Sequence, residues 1–67
     1  MIKVTVNGER KQIPEGVNLL ALLTALNVPT NALVVEYNGT IIGNEQFSKT
    51  LLKEGDALEL VRFVGGG

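Results

Sequence analysis

Asn18-Leu19-Leu20-Ala21-Leu22-Leu23-Thr24-Ala25-Leu26 places Leu19, Leu22, Leu23 and Leu26 at the i, i+3, i+4, i+7 spacing of one buried helical face. Asn18 suits the N-cap, because its short side chain accepts a bond from an otherwise unpaired amide two or three residues on. Ala21, Thr24 and Ala25 flank the leucines and keep the helix slim enough to lie close against a sheet. Asn27 and Pro29 end it. No side chain in this helix is an acid, a base or a strong nucleophile, so its task is packing.

The sheet that this face needs is written on both sides of it. Upstream, Ile2, Val4 and Val6 alternate with Lys3, Thr5 and Asn7, the period of a strand with one buried face. Asn7-Gly8 is the strongest short hairpin signal, since both positions tolerate positive φ. Glu9 to Ile13 is short and mostly polar, as an edge strand is, and Pro14-Glu15-Gly16 stops it. Downstream, Leu33, Val35 and Tyr37 share one face and Val34 and Glu36 the other. Asn38-Gly39 then turns the chain into Thr40-Ile41-Ile42. Residues 43–53 read as a turn-like link anchored by Phe47, Leu51 and Leu52. Gly55-Asp56 leads into a last strand in which Leu58 and Leu60 oppose Ala57, Glu59, Val61 and Phe63. Asp56 is expected to serve local turn amides, and Tyr37 to be a core or rim aromatic.

A helix with one apolar face among such strands packs as two layers, giving an α/β (α+β) domain: a mixed β-sheet against one main helix. Short links and a right-handed crossover favour the β-grasp arrangement, with first and last strands adjacent and parallel. The alternative, a three-strand sheet with a loose helix, leaves the apolar last strand unused. Sixty-seven residues sit near the lower limit for one core. With neither cysteine nor histidine, disulfides, the usual zinc sites and thiol chemistry are excluded. Apolar packing must hold the domain, and a hydrophobic content of 45% makes that feasible. Six basic side chains stand against seven acidic ones, and the basic ones are scattered apart from the Arg10-Lys11 pair, so nothing points to a phosphate-binding stripe. The run from Leu19 to Leu23 is too short to span a membrane, and with no positive segment and apolar block ahead of the first strand a signal peptide is not expected. Both features fit a cytoplasmic protein.

The whole chain resembles the ThiS-like family, the bacterial sulfur carriers of thiamine biosynthesis in the ubiquitin-like β-grasp superfamily. The likeness rests on Ile2-Lys3-Val4-Thr5-Val6-Asn7-Gly8, on Leu19 with Leu22-Leu23, and on Val35, Asn38-Gly39 and Ile41-Ile42. Its most specific part is Leu52, Gly55-Asp56, Leu58-Glu59-Leu60-Val61 and Phe63-Val64-Gly65-Gly66-Gly67. One departure is Asn44-Glu45-Gln46-Phe47, where many relatives carry Arg-x-x-Trp.

The resemblance implies a domain over residues 1–64 and a flexible glycine tail over 65–67 whose terminal carboxylate, on Gly67, is the reactive group. Glycine carries no Cβ, so Gly65, Gly66 and Gly67 thread a narrow cleft without a side chain to obstruct it. From Phe63 the tail reaches roughly 13 Å at ~3.3 Å per residue. A carboxylate is a poor acyl donor and must be activated. The family implies a ubiquitin-activating-type adenylyltransferase (ThiF-like) that uses ATP and Mg2+ to form an acyl-adenylate at Gly67. A sulfur donor such as a cysteine desulfurase then converts this to a thiocarboxylate, which a thiazole synthase (ThiG-like) consumes. The chain itself is a protein co-substrate, with no intrinsic cofactor and no catalytic acid or base of its own.

Alternation sends Val61 and Phe63 away from the helix, beside Val34. These three form the expected docking strip, with Glu36 and Glu59 as its polar rim; Val64 is also expected at the partner, as is Arg62, which shares the inward parity of Leu60 but sits near the sheet's end, where its head can snorkel. The other outcome for this strip is a second small core covered by residues 43–53. The rival functions are the small subunit of molybdopterin synthase, which shares fold and chemistry but is generally longer, and a β-grasp binding module whose tail has no reactive role.

Overall fold

Two Asn-Gly pairs set the sheet. A computed structural model describes residues 1–62. In it Asn7 and Gly8 have φ of 50° and 84°, and Asn38 and Gly39 have φ of 49° and 88°. Positive φ at both central residues gives the turn whose twist matches that of the flanking strands. The first turn joins β1 (Ile2–Val6) to β2 (Glu9–Ile13), and the second joins β3 (Leu33–Tyr37) to β4 (Thr40–Ile42). Both pairs are antiparallel. The last strand, β5 (Ala57–Arg62), lies between the hairpins, parallel to β1 and antiparallel to β3. The order β2-β1-β5-β3-β4 is the β-grasp arrangement. The three-strand alternative is thereby excluded, and the polar β2 is an edge, as its composition predicts.

Helix α1 (Leu19–Ala25) is capped by Asn18, whose Oδ1 accepts from the Ala21 amide at 2.8 Å. It stops one residue earlier than the leucine pattern suggests: Leu26 is the C-cap, and Asn27 at φ 59° turns the chain away. Leu19, Leu22 and Leu23 are buried and Leu26 is half-buried against the same core. Ala21, Thr24 and Ala25 are exposed, so they do not set the approach of helix to sheet as expected. The larger leucines face the sheet, and the small residues lie on the solvent side.

The link after β4 is more ordered than its composition suggests. Asn44–Lys49 forms a 3₁₀ helix that places Phe47 in the core, 1% exposed. The link is fastened to the start of α1 at several points. Leu19 N donates to Thr50 O at 2.8 Å, Leu52 N to Val17 O at 3.0 Å, and Asn18 Nδ2 to Ser48 O at 3.2 Å. Asn44 donates from Nδ2 to Thr30 O at 2.9 Å and holds the loop before β3. Of the three expected anchors, Phe47 and Leu52 are buried, but Leu51 is 53% exposed. Leu51 pairs with Asn18 in an isolated bridge that turns its side chain outward. With Phe47 and Leu52 both in the core shared with the α1 leucines, the link lies on the helix side of the sheet.

Candidate functional site

The strand that leads to the glycine tail is braced at its start by a buried carboxylate. Asp56 is only 6% exposed. Its Oδ2 accepts from the Tyr37 hydroxyl and the Lys53 amide, both at 2.8 Å, and its Oδ1 from Asn38 Nδ2 at 3.1 Å. Asn38 also accepts from the Ala57 amide at 2.8 Å, and Asn7 Oδ1 from the Leu60 amide at 2.7 Å. The asparagines of both turns therefore hold β5 as well as closing their hairpins. The Lys53 contact is the local one expected of Asp56. The contacts to Tyr37 and Asn38 come from a different part of the chain and carry no local signal.

Burial pushes the Asp56 carboxyl up. The bonds from Asn38, the Lys53 amide and Tyr37, with the Lys53 charge, outweigh it and hold the group below the usual aspartate range. Burial, then the bond to Asp56 and its charge, push the Tyr37 phenol up. A carboxyl that is more acidic folded than unfolded contributes fully above its unfolded value, about 3.9. That contribution is lost as pH falls through the folded value. Tyr37 works the other way: its share is complete below about 10 and is lost as pH rises through its raised value. Asp56→Ala is expected to cost about 1.5–3 kcal/mol at neutral pH, with the gap from wild type narrowing in acid. Urea denaturation at neutral pH and near pH 3 tests this, and an undiminished gap in acid would show that the carboxylate charge is not responsible.

Of the expected docking residues, Val34 and Val61 lie on the face of the sheet opposite α1. Val34 and Val61 are directly opposite in the β3–β5 ladder, Val34 half-buried and Val61 46% exposed. Glu36 and Glu59 form the next outward pair, both exposed. Arg62 is exposed at the end of β5 opposite Leu33, on the other parity from Val61, as its place in the alternation implies. Phe63, Val64, Gly65, Gly66 and Gly67 lie outside the described residues, as does the domain boundary expected after residue 64. Ile41 extends the apolar surface and was not singled out by the sequence reading. It is 69% exposed and pairs with Glu36, while Ile42 beside it pairs with the buried Val35. The signal was there in the parity of β4, since one of two adjacent isoleucines in a strand must face outward.

Among the described residues no group of three or more metal-ligating side chains occurs, and no helix is long and apolar enough to cross a membrane. The model of the ThiS family matches residues 4–67. The chain belongs to the ThiS family. A crystal structure of the thiamine biosynthesis protein ThiS from Geobacter metallireducens is 39% identical and superposes with a TM-score of 0.85, covering 98% of this chain and all of that one. The sulfur carrier protein ThiS of Bacillus subtilis is 39% identical over 46 residues, which are 69% of this chain and 70% of that protein. The thiazole synthase of Paramagnetospirillum magneticum is 33% identical over 66 residues, or 98% of this chain. That match is only 20% of the synthase, so the chain spans about a fifth of the length of that relative.

Proposed function

We propose that the carboxylate of Gly67 is adenylated by a ubiquitin-activating-type enzyme, then converted to a thiocarboxylate that supplies sulfur for thiazole formation in thiamine biosynthesis. The observation that carries this reading is the family match over residues 4–67, which includes the glycine tail. A carboxylate oxygen attacks the α-phosphorus of ATP, with Mg2+ held by the partner, and pyrophosphate leaves. The terminal sulfur of a persulfide on a cysteine-desulfurase-type donor then displaces AMP from the acyl carbon, and a thiol reductant cleaves the resulting acyl disulfide to leave the thiocarboxylate and the donor's thiol. Nucleotide, metal and proton transfer belong to the partners, and this chain contributes a tethered reactant whose geometry the partner can hold.

Thiazole synthase as the consumer is supported by the thiazole synthase of Paramagnetospirillum magneticum, which includes a segment similar to nearly all of this chain. That observation favours thiazole formation over molybdopterin synthesis as the destination of the sulfur. Val34 and Val61, with Phe63 and Val64 beyond them, are the proposed contact with the activating enzyme, and Arg62 a contact at its border. An apolar strip left outward in so small a domain is the kind of surface that a partner covers.

The test is intact mass after incubation with the cognate activating enzyme, ATP and a sulfur donor. Exchange of one terminal oxygen for sulfur adds about 16 Da, separated from oxidation by omitting ATP. Val61→Asp should stay folded and yet label poorly, because it places a charge in an apolar contact. A wild-type mass that is unchanged, or changed equally without ATP, would count against the carrier role.

A further inference from the structure

One row of side chains across the outward face carries two carboxylates and no cation. Glu36 and Glu59 are register partners in β3 and β5, both exposed. Ile41 stands opposite Glu36 on its far side, and on the other flank Asn7 is bonded to the backbone of Leu58 and Leu60. Directly opposite side chains in such a ladder have Cβ atoms about 4.5–5.5 Å apart, where like charges repel. Among the described residues the one ion pair joins Lys11 to Glu9 and leaves this row uncompensated. The sheet's outward cations, Lys3 and Arg10, stand on β1 and β2 beside Gln12 and Thr5, and β1 separates Arg10 from β5.

Val34 and Val61 lie two residues along the same strands, about 7 Å away at ~3.3 Å per residue. A partner that covers the valines must also cover or border the carboxylates. Enclosing two ionised carboxylates without a cation is unfavourable enough to block docking. We propose that the activating enzyme presents an arginine or lysine that sits between Glu36 and Glu59 while apolar side chains beside it cover Val34, Val61 and Ile41. This rests on the docking role given above to Val34 and Val61. In the free protein water and salt screen the repulsion between the two exposed carboxylates, and in the complex the partner's cation relieves it, a local conflict of the kind found at functional surfaces. A guanidinium suits the position, since its planar fork can bond both carboxylates at once.

The experiment measures association of the cognate activating enzyme with wild type, Glu36→Gln/Glu59→Gln and Val61→Asp, at about 20 and about 200 mM salt. The double glutamine variant should associate about tenfold more slowly at low salt and lose most of its salt dependence. Its melting temperature should equal or exceed that of wild type, because the like-charge opposition is gone. If it associates as wild type does at both salt concentrations while Val61→Asp is impaired, the cation is refuted and the docking surface stands. If Val61→Asp also associates normally and melts like wild type, the docking surface itself is wrong and the cation falls with it.

Discussion

Amidation of the Gly67 carboxylate is expected to abolish partner-catalysed ATP–pyrophosphate exchange while leaving the melting temperature unchanged. The amide keeps the length of the tail and removes the oxygen anion that attacks the α-phosphorus. Deleting Gly67 instead keeps a carboxylate but withdraws it by ~3.3 Å. A one-residue extension carries it past the nucleotide by the same distance. Since a misplacement of ~1 Å can cost about a hundredfold in rate, both length variants should exchange at a small fraction of the wild-type rate. The three glycines bring no side chain to the core, so all three changes should alter stability by less than about 0.5 kcal/mol. Exchange assays run beside thermal melts separate chemistry from folding. Normal exchange by the amidated protein would end the carrier reading, because no acyl-adenylate forms without a free carboxylate.

The largest stability effect is expected at Phe47. Its ring is among the bulkiest fully buried side chains, in contact with a core that includes Leu19, Leu23, Val35 and Leu58. Phe47→Ala should cost about 3–5 kcal/mol through lost transfer energy and the cavity left behind. A domain of this size has a total stability of about 3–10 kcal/mol, so the variant should be substantially unfolded at room temperature. Leu51→Ala, four residues on and exposed, is the internal control and should change stability by no more than about 0.5 kcal/mol. Circular dichroism through urea titrations measures both. A loss below 1 kcal/mol at Phe47 would mean that the 3₁₀ segment is not part of the cooperative core.

Features written within a few consecutive residues were determined by the sequence alone. The leucine spacing of residues 19–26, the alternation in β1 and β5, and the two Asn-Gly turns each follow from backbone geometry acting over one turn or one hairpin. Those elements, with their short links, were enough to select the β-grasp order. The chemistry proposed for the glycine tail rests on a missing Cβ and a terminal carboxylate and not on a neighbour in space.

The tertiary structure decided what depends on segments far apart in the chain. No local pattern places Asp56 within reach of Tyr37 and Asn38, because those bonds exist only once β5 lies between β1 and β3. Periodicity also could not sort Leu51 from Leu52, since a 3₁₀ helix followed by an isolated bridge has neither helical nor strand period. The opposition of Glu36 to Glu59 is likewise a matter of register. Alternation sent both outward, but only the pairing of β3 with β5 set them face to face. A shift of one residue in that ladder would have separated them, and register is chosen by the packing of the opposite, buried face.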